Sequence, residues 1–562
     1  MSQLSVRRLK VDLLVVGGGT AGCMAAIWAK RQAPACRVLV MEKAYLDRSG
    51  CLAAGVNALN AYLRPEDDPG RFVEWVREDN GGLVREDLVG SIARRLPAIP
   101  PLLEEWGLPI PHGADGGYLF RGPRSIAIRG ERLKPLLAAE VRRAGAEVLN
   151  RVVATGYLRS GERVCGACGF GLRENAFYAI EAGAVICATG GAAGLYPPPN
   201  RGLARHRTWY PPFNCGAGYA MGIRAGAEMT SFEMRFVPLR VKDVQAPTGT
   251  VAQGVRARQV NALGEEYLGG GARLSTAGRL ERTLMEQRAG RGPCYLEMGR
   301  ITPEESQRLC EAYLAMCPAA VLYWADRGVD LQAARLEIAG AEPVVVGGHA
   351  QAGYWIDVDR RTTLPGLLAA GDVAGGAPKK YVPGCLVEGQ IASETALSQL
   401  SGEPGNRREV ERQVEEEYRR VVRPLHEPGP LSPRTLEERL QKIMEEYAGG
   451  ASRGYQVCES ELRIAAALLR ECREGAAELG AADLHELMAA HEVLDRLEVA
   501  EVLVEHLRYR QETRWPVYQS RIDFPGRDDG RWLRFVNSRR EADGRLRLIE
   551  RTSAPRGWEP WH

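Results

Sequence analysis

The chain opens with an apolar run, VDLLVV (Val11 to Val16), that stops at three glycines and is followed by TAGCMAAIWAKRQ and then by a second apolar run, RVLVMEK. That order predicts a buried strand, a tight turn, a helix and a parallel second strand, the opening of an α/β sheet. Two later runs end the same way. AGAVICATGGAAGLY (Ala182 to Tyr196) is an apolar strand closed by a double glycine, and LPGLLAAGDVAGG (Leu364 to Gly376) is a strand ending in Gly-Asp. Past residue 401 the pattern changes. EPGNRREVERQVEEEYRR, TLEERLQKIMEEYAGG and DLHELMAAHEVLDRLEVAEVLVEHLRYR carry apolar positions at helical spacing among charges, which predicts three or four packed helices.

At 562 residues the chain holds material for roughly three to four domains. A formal net charge of +3 with 26% charged residues gives no polyelectrolyte signal, so nucleic acid is not an expected partner. No apolar run approaches the ~18 residues that span a bilayer, and no direct membrane insertion is expected. Arg7 and Arg8 before an apolar stretch invite a twin-arginine export reading, but the run ends after Val16 in a glycine loop, which favours a first β-strand. The thirteen cysteines are scattered without framework spacing, which suits a reducing compartment and a cytoplasmic location. Cys165 and Cys168 read as packing residues, and no cysteine cluster could hold an iron–sulfur centre.

The first strand–turn–helix carries Gly17, Gly19 and Gly22 in the spacing GxGxxG. The first glycine permits the turn, the second lets a pyrophosphate reach the backbone, and the third lets helix and strand pack closely. Glu42 ends the next strand 20 residues after Gly22, where a carboxylate accepts ribose hydroxyls. Three strand-to-glycine turns spread over most of the chain describe a long, extended cofactor, which argues for FAD over NAD. Asp372 is placed to meet its sugar-like chain or pyrophosphate; the competing role is a helix N-cap.

At these residues the chain resembles the fumarate reductase and succinate dehydrogenase flavoprotein superfamily. In many members Ser-His-Thr follows the ribose acid, and the histidine bonds covalently to the flavin; here the turn is Ser49-Gly50-Cys51, so the resemblance implies non-covalent FAD. The cofactor set it implies is Gly17, Gly19, Thr20, Ala21 and Gly22 in the first turn, with Glu42, Lys43, Ser49 and Gly50 after the second strand. Ala188, Thr189 and Gly190, then Gly371, Asp372 and Glu388, complete it.

Longer segments sharpen the resemblance to the alpha subunits of dissimilatory adenylylsulfate reductase. They are TWYPPFNCGAGYAMGIRAGAEMTSFEMRFVPLRVKD (Thr208 to Asp243), NALGEEYL (Asn261 to Leu268), HAQAGYWIDV (His349 to Val358) and HLRYRQETRWP (His506 to Pro516). The resemblance implies catalytic roles for Arg240, Trp209 and His349, and substrate-binding roles for Asn60, Glu131 and Arg279. Arginines of this kind bind the oxyanions of adenylylsulfate, tryptophan stacks on adenine or braces the flavin, and a histidine titrating near neutrality handles a proton. The implied reaction interconverts adenylylsulfate with AMP and sulfite through a flavin–sulfite adduct. Electrons would pass through a ferredoxin-like iron–sulfur beta subunit in a heterodimer, with no metal on this chain. The alternatives are a fumarate/succinate-type dicarboxylate oxidoreductase and an accessory electron-transfer flavoprotein. The chain departs from the family pattern in shorter stretches between Gly269 and Pro293 and before His349, in YVPGCLVEGQIAS (Tyr381 to Ser393), and at Met234, which replaces an imidazole.

The expected architecture is thus α/β. A Rossmann-like FAD-binding domain comprises 1–240 and 344–400, an inserted capping domain 241–343, and a C-terminal helical domain 401–562.

Overall fold

A computed structural model describes residues 4–199, 208–244, 246–248, 257–268, 274–400 and 406–553. Its centre is a seven-stranded sheet. Along its main path the order is Glu147–Asn150, Val38–Glu42, Ser5–Val16, Ala176–Cys187, Arg163–Gly171 and Val152–Ser160, and Leu367–Ala369 also pairs with Ala176–Cys187. Ser5–Val16 runs parallel to both neighbours, with Val16 in register with Met41 on one side and Cys187 on the other. Ala369 is likewise in register with Cys187. The carboxyl ends of these strands therefore meet at one edge of the sheet, where parallel α/β folds bind their ligands. The paired arginines fall on the outer half of the first strand, where Arg7 meets Glu174 at 2.6 Å and Arg8 meets Glu411 at 2.5 Å.

The helix Thr20–Gln32 crosses the buried helix Tyr381–Ser398 closely, and a Cβ at Gly389 would lie 3.0 Å from the Met24 Cβ. A second, five-stranded antiparallel sheet takes its strands from Leu239–Val241, Ala246–Pro247, Arg258–Val260, Cys294–Glu297 and Arg335–Gly340. The chain enters and leaves this region side by side. The Phe236 amide donates to the Val344 carbonyl at 2.8 Å, and the Val344 amide donates back at 2.9 Å.

Four helices follow, Arg407–His426, Pro433–Tyr447, Glu459–Gly475 and Leu484–Tyr509. The last is buried on nearly every side, and Glu492, Asp495, Arg496 and Glu498 are among its buried residues. The C-terminal region is not wholly helical, because Arg534–Arg540 and Leu546–Thr552 form an antiparallel hairpin that joins Met229–Thr230 and Gly353–Tyr354 in a third sheet. The turn residues Asp543-Gly544 between two β-rich segments are a hairpin signal that the helical pattern upstream obscured. Among the described residues no helix is long and apolar enough to cross a membrane, and no cluster of side chains could hold a metal ion. All thirteen cysteines are free.

Candidate active site

The carboxyl edge of the central sheet opens into a cavity lined by Gly17, Gly19, Thr20, Ala21, Glu42, Lys43, Gly50, Ala188, Thr189, Gly190, Gly371 and Asp372. Gly17 has φ +98°, and a Cβ there would lie 2.6 Å from the Ala188 carbonyl oxygen, so only glycine fits where the two turns meet. Gly19 is the N-cap of the helix Thr20–Gln32 and offers no capping side chain, which leaves the first helical amides open to an anion. Glu42 braces this loop: one carboxylate oxygen accepts from the Gly18 amide and the other from the Ala44 amide, both at 2.7 Å. Its remaining lone pairs stay available to a ribose. Lys43 pairs with Glu492 at 2.6 Å and also reaches the Phe213 carbonyl.

Gly22, Ser49 and Glu388 stand behind the cavity. Gly22 is pressed against the Gly17 carbonyl, and the buried Ser49 hydroxyl lies 3.2 Å from the Gly18 carbonyl oxygen. Glu388 is fully buried, accepts from the Gly371 amide at 2.8 Å and from Lys380 Nζ at 3.0 Å, and lies 3.3 Å from Arg360. Its carboxylate holds the Gly371–Asp372 turn in place. Asp372 accepts from the Tyr210 hydroxyl at 2.8 Å. The geometry and donor set fit a flavin dinucleotide: glycine-lined backbone, open helical amides and a carboxylate at the end of the second strand. At the family's covalent position Gly50 has φ +74°, and a Cβ there would meet the Gly19 Cα at 3.2 Å.

Beyond this cavity lies a second cluster. Trp209 comes from the loop after the central sheet, Arg240 from the strand Leu239–Val241, and His349 from the segment returning to the central sheet. The Trp209 ring lies 4.9 Å from the His349 ring and 4.8 Å from Phe236, and the Arg240 guanidinium sits over it at 5.0 Å. Tyr381 stands edge-on to His349 at 5.3 Å, and Tyr518 packs on Phe236 at 5.4 Å. Buried Glu342, beside the chain crossing, accepts from the Trp209 amide at 2.7 Å. Three buried polar atoms here have no hydrogen-bond partner: Arg240 Nε, Glu342 Oε2 and His349 Nδ1.

Burial, partly offset by Glu342, lowers Arg240 to about 9. Burial pushes Glu342 up to about 7. His349 departs from the expectation of a residue titrating near neutrality. Burial lowers it to about 4, with Asp372 opposing and Arg240 reinforcing the shift, so the imidazole is neutral at pH 7.

The other expected substrate residues are placed differently. Arg279, on the helix Thr276–Arg288, is buried and donates to the Thr248 carbonyl at 3.1 Å; its charge reinforces the lowering at Arg240. Asn60 lies on the short strand Ala58–Asn60 and accepts from the Ser125 hydroxyl at 2.9 Å. Glu131 is exposed on the turn Gly130–Arg132, and among the described residues no contact joins it to the Arg240 cluster. Buried Met234 lies 3.6 Å from the Gln351 amide nitrogen. Sequence reasoning missed Glu342, Tyr381, Tyr518 and the buried Lys134, which donates to the Gly18 carbonyl. No local sequence pattern singles them out; in the structure Lys379 and Tyr381 adopt φ +59° and +49°.

Residues 12–385 match the FAD binding domain family, and residues 437–553 match the fumarate reductase flavoprotein C-terminal family. The chain is 30% identical to the adenylylsulfate reductase alpha subunit of Megalodesulfovibrio gigas, an alignment covering 94% of this chain and 93% of that one. It superposes on adenylylsulfate reductase from Archaeoglobus fulgidus with a TM-score of 0.93 at 33% identity, over 99% of this chain and 98% of that one. A structure described as adenosine-5-phosphosulfate reductase in complex with sulfite, a covalent adduct, gives the same TM-score of 0.93, identity of 33% and coverage of 99% and 98%. The quinol fumarate reductase flavoprotein of E. coli shares the fold, with a TM-score of 0.85 at 20% identity over 99% of both chains. With an FAD binding domain that spans its central sheet and a match along nearly its whole length, this chain belongs to the FAD-dependent oxidoreductase family of adenylylsulfate reductase alpha subunits.

Proposed function

We propose that this chain is the flavin-bearing subunit of an enzyme that interconverts adenylylsulfate with AMP and sulfite. The observation that carries this reading is the Arg240–Trp209–His349 cluster, with three buried polar atoms unpartnered beside an FAD cavity. FAD, when bound, supplies two-electron chemistry next to the cluster.

Adenylylsulfate places a sulfonyl group on a phosphate, so its reactive end is dianionic and compact. Arg240 binds that end and stabilises the charge that develops as the sulfur–oxygen bond breaks. Arg279 adds a second positive charge from the neighbouring helix. Trp209 presents an aromatic face for the adenine. His349, neutral at pH 7, acts as a hydrogen-bonding group, and Glu342 is the carboxyl that exchanges a proton in the neutral range. Substrate-binding roles for Asn60 and Glu131 rest on the resemblance alone. The FAD is held non-covalently, because Gly50 offers no imidazole. The partner is a ferredoxin-like iron–sulfur subunit, in keeping with the alpha-subunit relatives, and the free cysteines support a cytoplasmic location.

The test is AMP-dependent electron transfer from sulfite to an artificial acceptor, after confirming that sulfite alone bleaches the oxidised flavin band. Turnover of fumarate or succinate, with none for AMP plus sulfite, would overturn the reading. Purification from the native source under anaerobic conditions should yield two polypeptides and iron. A single iron-free chain that oxidises NAD(P)H would remove the partner.

A further inference from the structure

We propose that the helix Leu484–Tyr509, more than 440 residues from the glycine loop, is a wall of the dinucleotide cavity, and that Glu492 and Asp495 recognise the adenosine end of FAD. The inference depends on the FAD cavity and not on the sulfur chemistry.

Both carboxylates line the cavity, on the side where Lys43 follows the strand-end Glu42. A carboxylate repels the pyrophosphate, which belongs at the open amides of the helix Thr20–Gln32. The part of the ligand that faces Glu492 and Asp495 must therefore offer hydrogen-bond donors, and in FAD those are ribose hydroxyls or the adenine amino group. Each carboxylate keeps acceptor capacity. Glu492 takes Lys43 at 2.6 Å through one oxygen, and its other oxygen lies 4.0 Å from Arg496. Asp495 takes Arg224 at 3.0 Å through one oxygen. Val152, Val153 and Ala154 supply an apolar wall suited to a planar base.

The helix is locked in register for this contact. Arg496 donates to the Ala193 carbonyl at 3.0 Å and to the Pro212 carbonyl at 2.7 Å, tying the helix to the segment after the double glycine. Lys43 is thus a latch: its ammonium joins the second strand of the central sheet to the C-terminal helix, and cofactor occupancy becomes linked to docking of that helix.

Apoprotein of Glu492→Gln and of Asp495→Asn, titrated with FAD by flavin fluorescence, should bind about tenfold or more weakly than wild type, as for loss of a hydrogen bond to a charged group. The rise in melting temperature on adding FAD should shrink in step. In the wild type, FAD should increase amide hydrogen-exchange protection within 484–509. A role confined to packing predicts that apo and holo melting temperatures fall together with FAD affinity unchanged, and that result overturns the proposal. Should neither variant fold, the wild-type exchange experiment decides: unchanged protection of 484–509 on adding FAD would also overturn it.

Discussion

The two halves of the site solve opposite problems. Around the FAD cavity the charged groups are paired within the protein: Glu42 on two amides, Lys43 on Glu492, Glu388 on Lys380 and Gly371. Around Trp209 the polar atoms are left over, on Arg240, Glu342 and His349, inside an aromatic box. Ion pairs and backbone bonds brace the cofactor side, although Glu388 Oε1 and Arg360 Nε lack a hydrogen-bond partner there too. Unsatisfied buried groups are costly, and three of them gathered round one aromatic box can be completed by a ligand. On the proposed function, the first side keeps a cofactor in place and the second exchanges a substrate.

The largest effect should come from breaking the scaffold. Glu388→Ala leaves Lys380 without its fully buried carboxylate partner, and loss of such a partner costs roughly 3–5 kcal/mol. A matching shift in urea unfolding, with FAD lost from the loosened Gly371–Asp372 turn, is the expected result. Unchanged FAD content would mean that the turn holds itself.

Next in size is removal of the exchange side's charge. Arg240→Ala should lower the rate by about a hundredfold or more, roughly 3 kcal/mol of transition-state stabilisation, while FAD content stays at the wild-type level. Loss of flavin in this variant would erase the division between the two halves.

Glu342 supplies a pH signature. Its ordinary value is 4.5, and burial raises it to about 7, so the folded state disfavours the ionised form. Such a group contributes its full stability below 4.5 and loses that contribution as pH rises through about 7. The total loss should be about 3 kcal/mol, acquired mostly between roughly pH 4.5 and pH 7. Glu342→Gln should abolish that loss, read as the difference between the two proteins' urea midpoints. An identical pH profile in both would show that Glu342 is solvated.

The smallest expected effect is an absence. Acid precipitation should release all the flavin to the supernatant, because Gly50 stands where a histidine would form the bond. Yellow colour in the washed pellet would move permanence from packing to covalent chemistry.

The cofactor side was far more legible than the substrate side. A glycine loop that receives a pyrophosphate is a contiguous arrangement of backbone, so Gly17, Gly19 and Glu42 announce it within one β–α–β unit. Arg240, Trp209 and His349 could be named only through resemblance to longer segments, because no local pattern joins them. Glu388 shows a finer limit. It fell in the cofactor set, but its carboxylate lies behind the Gly371 turn and acts through Lys380 and the backbone. The hairpin Arg534–Arg540 with Leu546–Thr552 had a readable Asp-Gly turn, yet its partner strands lie around residues 229 and 353.

What the amino-acid order determined by itself was the succession of strand, glycine turn and helix, the carboxylate that ends the second strand, and the missing imidazole at Gly50. These follow from steric rules and residue chemistry that operate over a few neighbouring positions. Only the tertiary structure decided that Glu342 would sit unionised-leaning beside Arg240, that His349 would be a neutral imidazole, and that a C-terminal helix would line the cofactor cavity. Proton affinity depends on how much water and which charges surround a group, and those surroundings exist only after distant segments pack together.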